Sequence, residues 1–308
     1  MMITRREFLK YCGTVAGAMG LTASGLIRLQ NVLAAEGGPS VMWLQGQGCT
    51  GCSVSLLNSI NYMTADELLL NTIDLEFHAT VMAGAGDLAV SAAEEVLANE
   101  GFVLVVEGAI PTAEDGEYCY LWPGMTALNA VETFSEKAAY ILAVGTCAAY
   151  GGLIAGKPNP TGAVGVRDVV GQKQVINIPG CPAHPDWIVG TIAHLLTYGK
   201  APSLDQHGRP LMFYKHTVHS GCPNRQNFHD KAIFAQELGE EGCLFKLGCA
   251  GMQSQADCPI RKWNGGSAGE YGDTWCIGGR NPCQGCTEPG FPDTVSPWYT
   301  LELPRLHS

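Results

Sequence analysis

The chain has 308 residues, room for about two domains. With 46% hydrophobic and only 15% charged residues, it is neither a disordered tail nor a polyelectrolyte. Its 18 basic residues stand against 29 acidic ones, a net charge of −11, so it lacks the clustered positive charge of a nucleic-acid footprint. What calls for explanation is 13 cysteines beside 39 glycines in a chain long enough to bury a full core. Disulfide-dense folds are usually short.

Residues 1–35 read as an export signal. Arg5 and Arg6, with Phe8 and Lys10, precede an apolar stretch of 15 residues (13–27) that is too short to span a bilayer. Small residues at 34–35 offer a cleavage site. The arginine pair looks like a twin-arginine signal, the address of proteins exported already folded, which places the mature chain in the periplasm. Cleavage removes Cys12 and leaves 12 cysteines. No later segment has the length and apolarity of a membrane anchor, so a soluble chain is expected.

From 36 to 200 the pattern alternates short apolar runs with amphipathic ones. Residues 41–44 predict a first strand and 53–62 the helix after it. A strand at 75–82 and a helix at 87–99 follow. The run 102–107 (Phe-Val-Leu-Val-Val-Glu) is the most apolar strand, succeeded by a helix at 126–137. Strands at 139–144 and 175–178 and a helix at 186–198 complete the series. Strands alternating with helices argue an α/β fold, a parallel sheet covered on both faces, here in a five-stranded flavodoxin-like order. From 201 to 308 the periodicity fades. Residues 242–290 carry 11 glycines, and one helix is expected, near 230–238. Such a segment buries too little apolar area to offset its chain entropy, so a second, irregular domain held by metal is the economical reading.

The cysteines fall into three sets. Cys49 and Cys52 lie in the turn after the first strand, Cys147 after the fourth and Cys181 after the fifth. Ligands of parallel α/β sheets gather outside the carboxyl ends of the strands, where these three loops would converge. Four thiolates suit an iron–sulfur cubane there, although a structural zinc or two disulfides would use the same side chains. The second set is His219, Cys222, Cys243 and Cys249, which reads almost equally well as zinc. The third is Cys258, Cys276, Cys283 and Cys286, again four thiolates for a cubane. Cys119 remains and is expected to be a buried small hydrophobe.

Three such sets behind a twin-arginine signal resemble the small, electron-transferring subunit of periplasmic nickel–iron hydrogenases. The likeness covers essentially the whole mature chain. It rests on Gln45-Gly-Gln-Gly-Cys-Thr-Gly-Cys-Ser53, Val106-Glu-Gly-Ala-Ile-Pro111, Gly145-Thr-Cys-Ala148, Lys157-Pro-Asn-Pro-Thr-Gly162 and Pro179-Gly-Cys-Pro182. Gly208-Arg-Pro210, Leu247-Gly-Cys249 and Cys286-Thr-Glu-Pro289 continue it. The resemblance implies a heterodimer whose large subunit holds the nickel–iron centre for H2 oxidation, with no catalytic residue in this chain. It implies a proximal 4Fe–4S cluster on the first set, a distal one on the histidine set, and a medial cluster on the third. An external carrier, a c-type cytochrome, would dock at the distal end.

Many relatives have proline where Cys276 stands, and a 3Fe–4S medial cluster. A fourth cysteine here implies 4Fe–4S, as in the nickel–iron–selenium branch, with 3Fe–4S the outcome if Cys276 is not a ligand. The Gln45–Asn58 stretch, with Val54 where many relatives carry glutamate, also resembles that branch. Oxygen-tolerant relatives add cysteines at positions that align with Gly51 and Gly152, so an ordinary proximal cubane and an oxygen-sensitive enzyme are expected. The rival reading is a standalone periplasmic iron–sulfur carrier, which would be mostly polar around the first set. A third is a structural protein stapled by disulfides or zinc.

Overall fold

The structure, a computed structural model, describes residues 38–60, 63–263 and 275–298. The export signal, residues 61–62, residues 264–274 and the tail from 299 lie outside the described residues.

The first strand, β1 (Ser40–Gln45), leads through a tight turn into helix α1 (Gly51–Leu57). Then come α2 (Ala65–Asn71), β2 (Asp74–His78), α3 (Asp87–Asn99) and β3 (Val103–Glu107). After two short antiparallel pairs begin, α4 (Ala127–Lys137), β4 (Tyr140–Val144) and α5 (Thr146–Tyr150) follow. The series closes with β5 (Val175–Ile178) and α6 (Pro185–Tyr198). All five strands are parallel, in the order β2-β1-β3-β4-β5. That is the flavodoxin-like order, and every β-to-α loop therefore opens on one edge of the sheet.

Strand alternation divides the core into two faces. Met42, Leu44, Leu104 and Val106 meet Ala93 and Val96 of α3 and Ala130, Val131 and Phe134 of α4. Val41, Trp43, Val105 and Val144 face the other way, onto Trp187, Ile188 and Ile192 of α6. That second face extends without a break into Phe213, Tyr214, Val218, Leu244, Trp275 and Ile277, so the C-terminal half packs on the sheet domain's own core. Each fully buried aliphatic side chain contributes about 1.5–3 kcal/mol of transfer free energy.

Three expected elements end elsewhere. The second strand stops at His78 because Val81 and Met82 both donate backbone N–H to the His78 carbonyl, at 3.2 and 3.1 Å, closing a turn. α1 stops at Leu57, with the Asn58 side chain donating to the Val54 carbonyl at 2.7 Å. No helix forms at 230–238. The helix there is Arg225–His229, and Lys231, at φ 51°, turns the chain away. Beyond it Phe234 bridges Cys243, with Cys243 N–H on the Ile233 carbonyl at 2.8 Å, so pairing with a distant segment overrides local helix propensity.

Past residue 200 the described helices have five residues or fewer, and charged clamps replace a sheet. Arg209 is 1% exposed; its guanidinium binds Asp205 at 2.8 Å, Glu288 at 2.9 Å and the Thr287 carbonyl at 3.1 Å, and also Gln255. Arg261 bridges Asp257 at 2.7 Å and Asp186 at 3.1 Å, tying the Cys258–Arg261 helix to α6. These polar anchors hold the loops that carry the second and third cysteine sets.

Candidate metal centres

The first set assembles where expected, at the carboxyl edge of the sheet. Cys49, Cys52, Cys147 and Cys181 line one cleft with Gly108, Gly145 and Glu107. Thr50, at φ 62°, ends the loop and starts α1 without a side-chain cap. The cap comes from another strand: Glu107, 4% exposed, accepts the backbone N–H of Cys52 at 2.9 Å and of Ser53 at 3.1 Å. A carboxylate at a helix N-terminus satisfies its orphan donors and its dipole. Glu107 also accepts from Trp43 at 3.1 Å, Gln45 at 3.2 Å and the Ser53 hydroxyl. Ser53 meets His78 at 3.1 Å. The Glu107 network escaped the sequence reading, although a charge ending a fully buried strand was its signal.

The histidine set also comes together. His219, Cys222, Cys243 and Cys249 line one cleft, with Phe228 and Phe245 at its wall. Phe228 packs edge-on against His219, ring centroids 5.1 Å apart. The third set occupies the middle. Cys258, Cys276, Cys283 and Cys286 open on a cavity of about 440 Å³ walled by Trp187, Trp263, Trp275 and Val218. Cys276 keeps exposed surface yet shares this cavity, and Cys181 of the first set reaches it as well. Cys119 stands apart, half-buried in the turn before α4, where burial raises its thiol.

Neighbouring sets touch. The Cys283 backbone N–H donates to the Cys249 sulfur at 3.3 Å, joining third to second. Cys181 lines the same cavity as Cys258, Cys276, Cys283 and Cys286, which joins first to third, and burial, then the neighbouring Cys276 and Cys283 thiols, push the Cys286 thiol up. The order in space is therefore first, third, second.

The donors suit clusters better than single ions or bridges. The twelve cysteines from Cys49 onward are free thiols. Among the described residues, no three His, Cys, Asp or Glu side chains are placed to hold one metal ion, as the short Zn–S bonds of a structural zinc require. Burial, and then the charges of neighbouring thiols, raise Cys181 to about 11 and Cys258 well above its ordinary value. Burial also raises Cys283 to about 12. Thiolates gathered in this way need a compensating cation. His219 Nε2 is buried without a hydrogen-bond partner. A Cβ at Gly145, φ 87°, would sit 2.4 Å from the Cys52 sulfur, so only glycine leaves this cradle open. The residues present fit iron–sulfur groups.

Comparison with known proteins agrees with this architecture. Residues 49–195 match the family described as NADH ubiquinone oxidoreductase, 20 Kd subunit. Residues 214–299 match the family of the C-terminal part of the NiFe/NiFeSe hydrogenase small subunit. The chain is 41% identical to the periplasmic [NiFeSe] hydrogenase small subunit of Desulfomicrobium baculatum, over 98% of this chain and 100% of that one. It is 40% identical to the periplasmic [NiFe] hydrogenase small subunit 1 of Nitratidesulfovibrio vulgaris, over 96% and 93%. The solved Ni-Fe-Se hydrogenase of Desulfomicrobium baculatum, in a reduced, active form, superposes with a TM-score of 0.79 at 41% identity, covering 86% of this chain and 100% of that chain. With sheet order, C-terminal half and full-length identity in agreement, the chain belongs to the small-subunit family of NiFe and NiFeSe hydrogenases.

Proposed function

We propose that this protein carries electrons between the nickel–iron or nickel–iron–selenium site of a large subunit and an external c-type cytochrome, in periplasmic hydrogen uptake. Bound iron–sulfur clusters would supply one-electron carriers. Cys49, Cys52, Cys147 and Cys181 would hold the proximal 4Fe–4S cluster in a domain spanning 36–200. Within 201–308, Cys258, Cys276, Cys283 and Cys286 would hold a medial 4Fe–4S cluster, and His219, Cys222, Cys243 and Cys249 the distal one. The observation that carries this reading is the serial arrangement of the three sets, the first and third sharing a cavity through Cys181 and the third and second joined by the Cys283–Cys249 hydrogen bond.

The ends of that series differ in character. Beside the exposed Cys49, α1 and the turn after it present Val54, Leu57 and Ile60, 55%, 47% and 52% exposed. A free carrier would be polar there, whereas an apolar patch around the first set suits a large-subunit interface. At the other end, exposed Glu237, Glu240 and Glu241 precede Cys243, a run of charge that would steer a basic cytochrome. Gly51 and Gly152 add no donors to the first set, and a Cβ at Gly152 would lie 2.8 Å from the Cys147 nitrogen. That supports an ordinary, oxygen-sensitive proximal cluster. Twin-arginine export fits a protein loaded before translocation, and no helix among the described residues is long and apolar enough to cross a membrane.

The test is reduction by H2. Hydrogen added to the anaerobic heterodimer should bleach its visible iron–sulfur absorbance, and oxidised c-type cytochrome added after the hydrogen is removed should restore it. A heterodimer that splits hydrogen with no change in that absorbance overturns the proposal.

A further inference from the structure

Thr146 lies between the first and third cysteine sets and is 1% exposed. Its hydroxyl accepts the Gly180 backbone N–H at 2.8 Å and donates to the Cys286 carbonyl. Its own N–H donates to the Gly180 carbonyl at 3.0 Å. One side chain thus ties the start of α5, which carries Cys147, to the loop after β5, which carries Cys181, and to the Cys283–Cys286 turn. A hydroxyl has one hydrogen to give and lone pairs to accept with, and both roles are used here. Gly180, gripped on both sides, precedes Cys181, which lines the same cavity as Cys286.

We infer that Thr146 is a positioning residue that sets the spacing between the proximal and medial sites. The inference rests on the reading of those sites as cluster sites. Hydrogen bonds to cluster sulfurs and the surrounding backbone tune reduction potential. An isosteric valine would leave the Gly180 N–H and the Cys286 carbonyl buried and unpaired, so the two loops would have to part or admit water. Serine keeps the hydroxyl and both bonds. The distal set, joined through Cys283 and Cys249 rather than Thr146, lies outside its reach.

The experiment uses the anaerobically purified heterodimer, wild type, Thr146→Val and Thr146→Ser, followed by potentiometric EPR titration. In Thr146→Val the midpoints of the proximal and medial clusters should shift and their mutual spin-coupling splitting should weaken, while the distal midpoint stays put. Thr146→Ser should match wild type. Thr146→Ala carries the same expectation should the valine variant fail to assemble. Wild-type midpoints and splitting in the valine or alanine variant would overturn the inference, as would a serine variant that departs as far as valine. Absence of cluster signals from the wild type would instead defeat the cluster reading itself, which keeps the two failures apart.

Discussion

The two halves of the molecule hold together by different means. In the sheet half, α3, α4 and α6, of 11–14 residues, cover central strands whose side chains are almost all buried, and hydrocarbon does the stabilising. In the C-terminal half the described helices have five residues or fewer and backbone pairing shrinks to isolated bridges. That half borrows one face of the sheet's core and adds charged clamps and two of the three cysteine sets. The first cysteine set decorates a fold that stands without it. The other two lie in loops that share one face of that core but have no sheet and no helix longer than five residues among the described residues, so bound clusters would help order them.

Iron removal is the strongest way to break that contrast. A chelator applied to the reduced heterodimer should strip hydrogen-exchange protection from the loops around Cys222, Cys249 and Cys283, leaving amides of β3 and β4 protected. Uniform loss over both halves, or none, would contradict the division. Next comes the clamp. Arg209→Ala would leave Asp205 and Glu288, each 13% exposed, without their cation. Breaking such a pair costs about 3–5 kcal/mol, read as a lower denaturation midpoint of the C-terminal half. A change within a few tenths of a kcal/mol would show the network to be dispensable.

Cys276→Pro sharpens the comparison at the middle site. It should leave folding nearly intact, convert the medial cluster to 3Fe–4S, and raise its potential. An unchanged EPR spectrum would remove Cys276 from the ligand set. The smallest effect is one of pH. Burial holds His78 and His184 below the ordinary imidazole value, neighbouring Glu107 and Asp186 only partly offsetting it. Their contribution is complete above about pH 6.5 and is lost as the pH falls through the lower folded-state values. Denaturation midpoints should decline over that window, and His184→Asn should flatten the slope. A wild-type midpoint flat over that window would contradict the assignment.

Much of this was legible in the chain itself, for physical reasons. Apolar runs such as 102–107 can only be buried strands, and cysteines directly after strands must share the sheet's carboxyl edge. The grouping of Cys49, Cys52, Cys147 and Cys181 follows from that, and the grouping of the other two sets from spacing and the family likeness. What escaped was set by distance along the chain. Glu107 caps α1 across more than 50 residues, and Thr146 meets Cys286 across 140. Arg209 finds Glu288 79 residues away. Residues 230–238 carry a helical pattern that loses to pairing with Cys243. Local pattern does not encode partners of that kind.

The central claim, three clusters in series, is tested most directly by iron and acid-labile sulfide per copy of this chain in the anaerobically purified heterodimer, after subtracting the large subunit's own metal. Three cubanes predict about 12 irons with matching sulfide, and no 3Fe signal on oxidation. About 11 irons with a 3Fe signal would contradict the role given to Cys276, and little iron would contradict the series altogether.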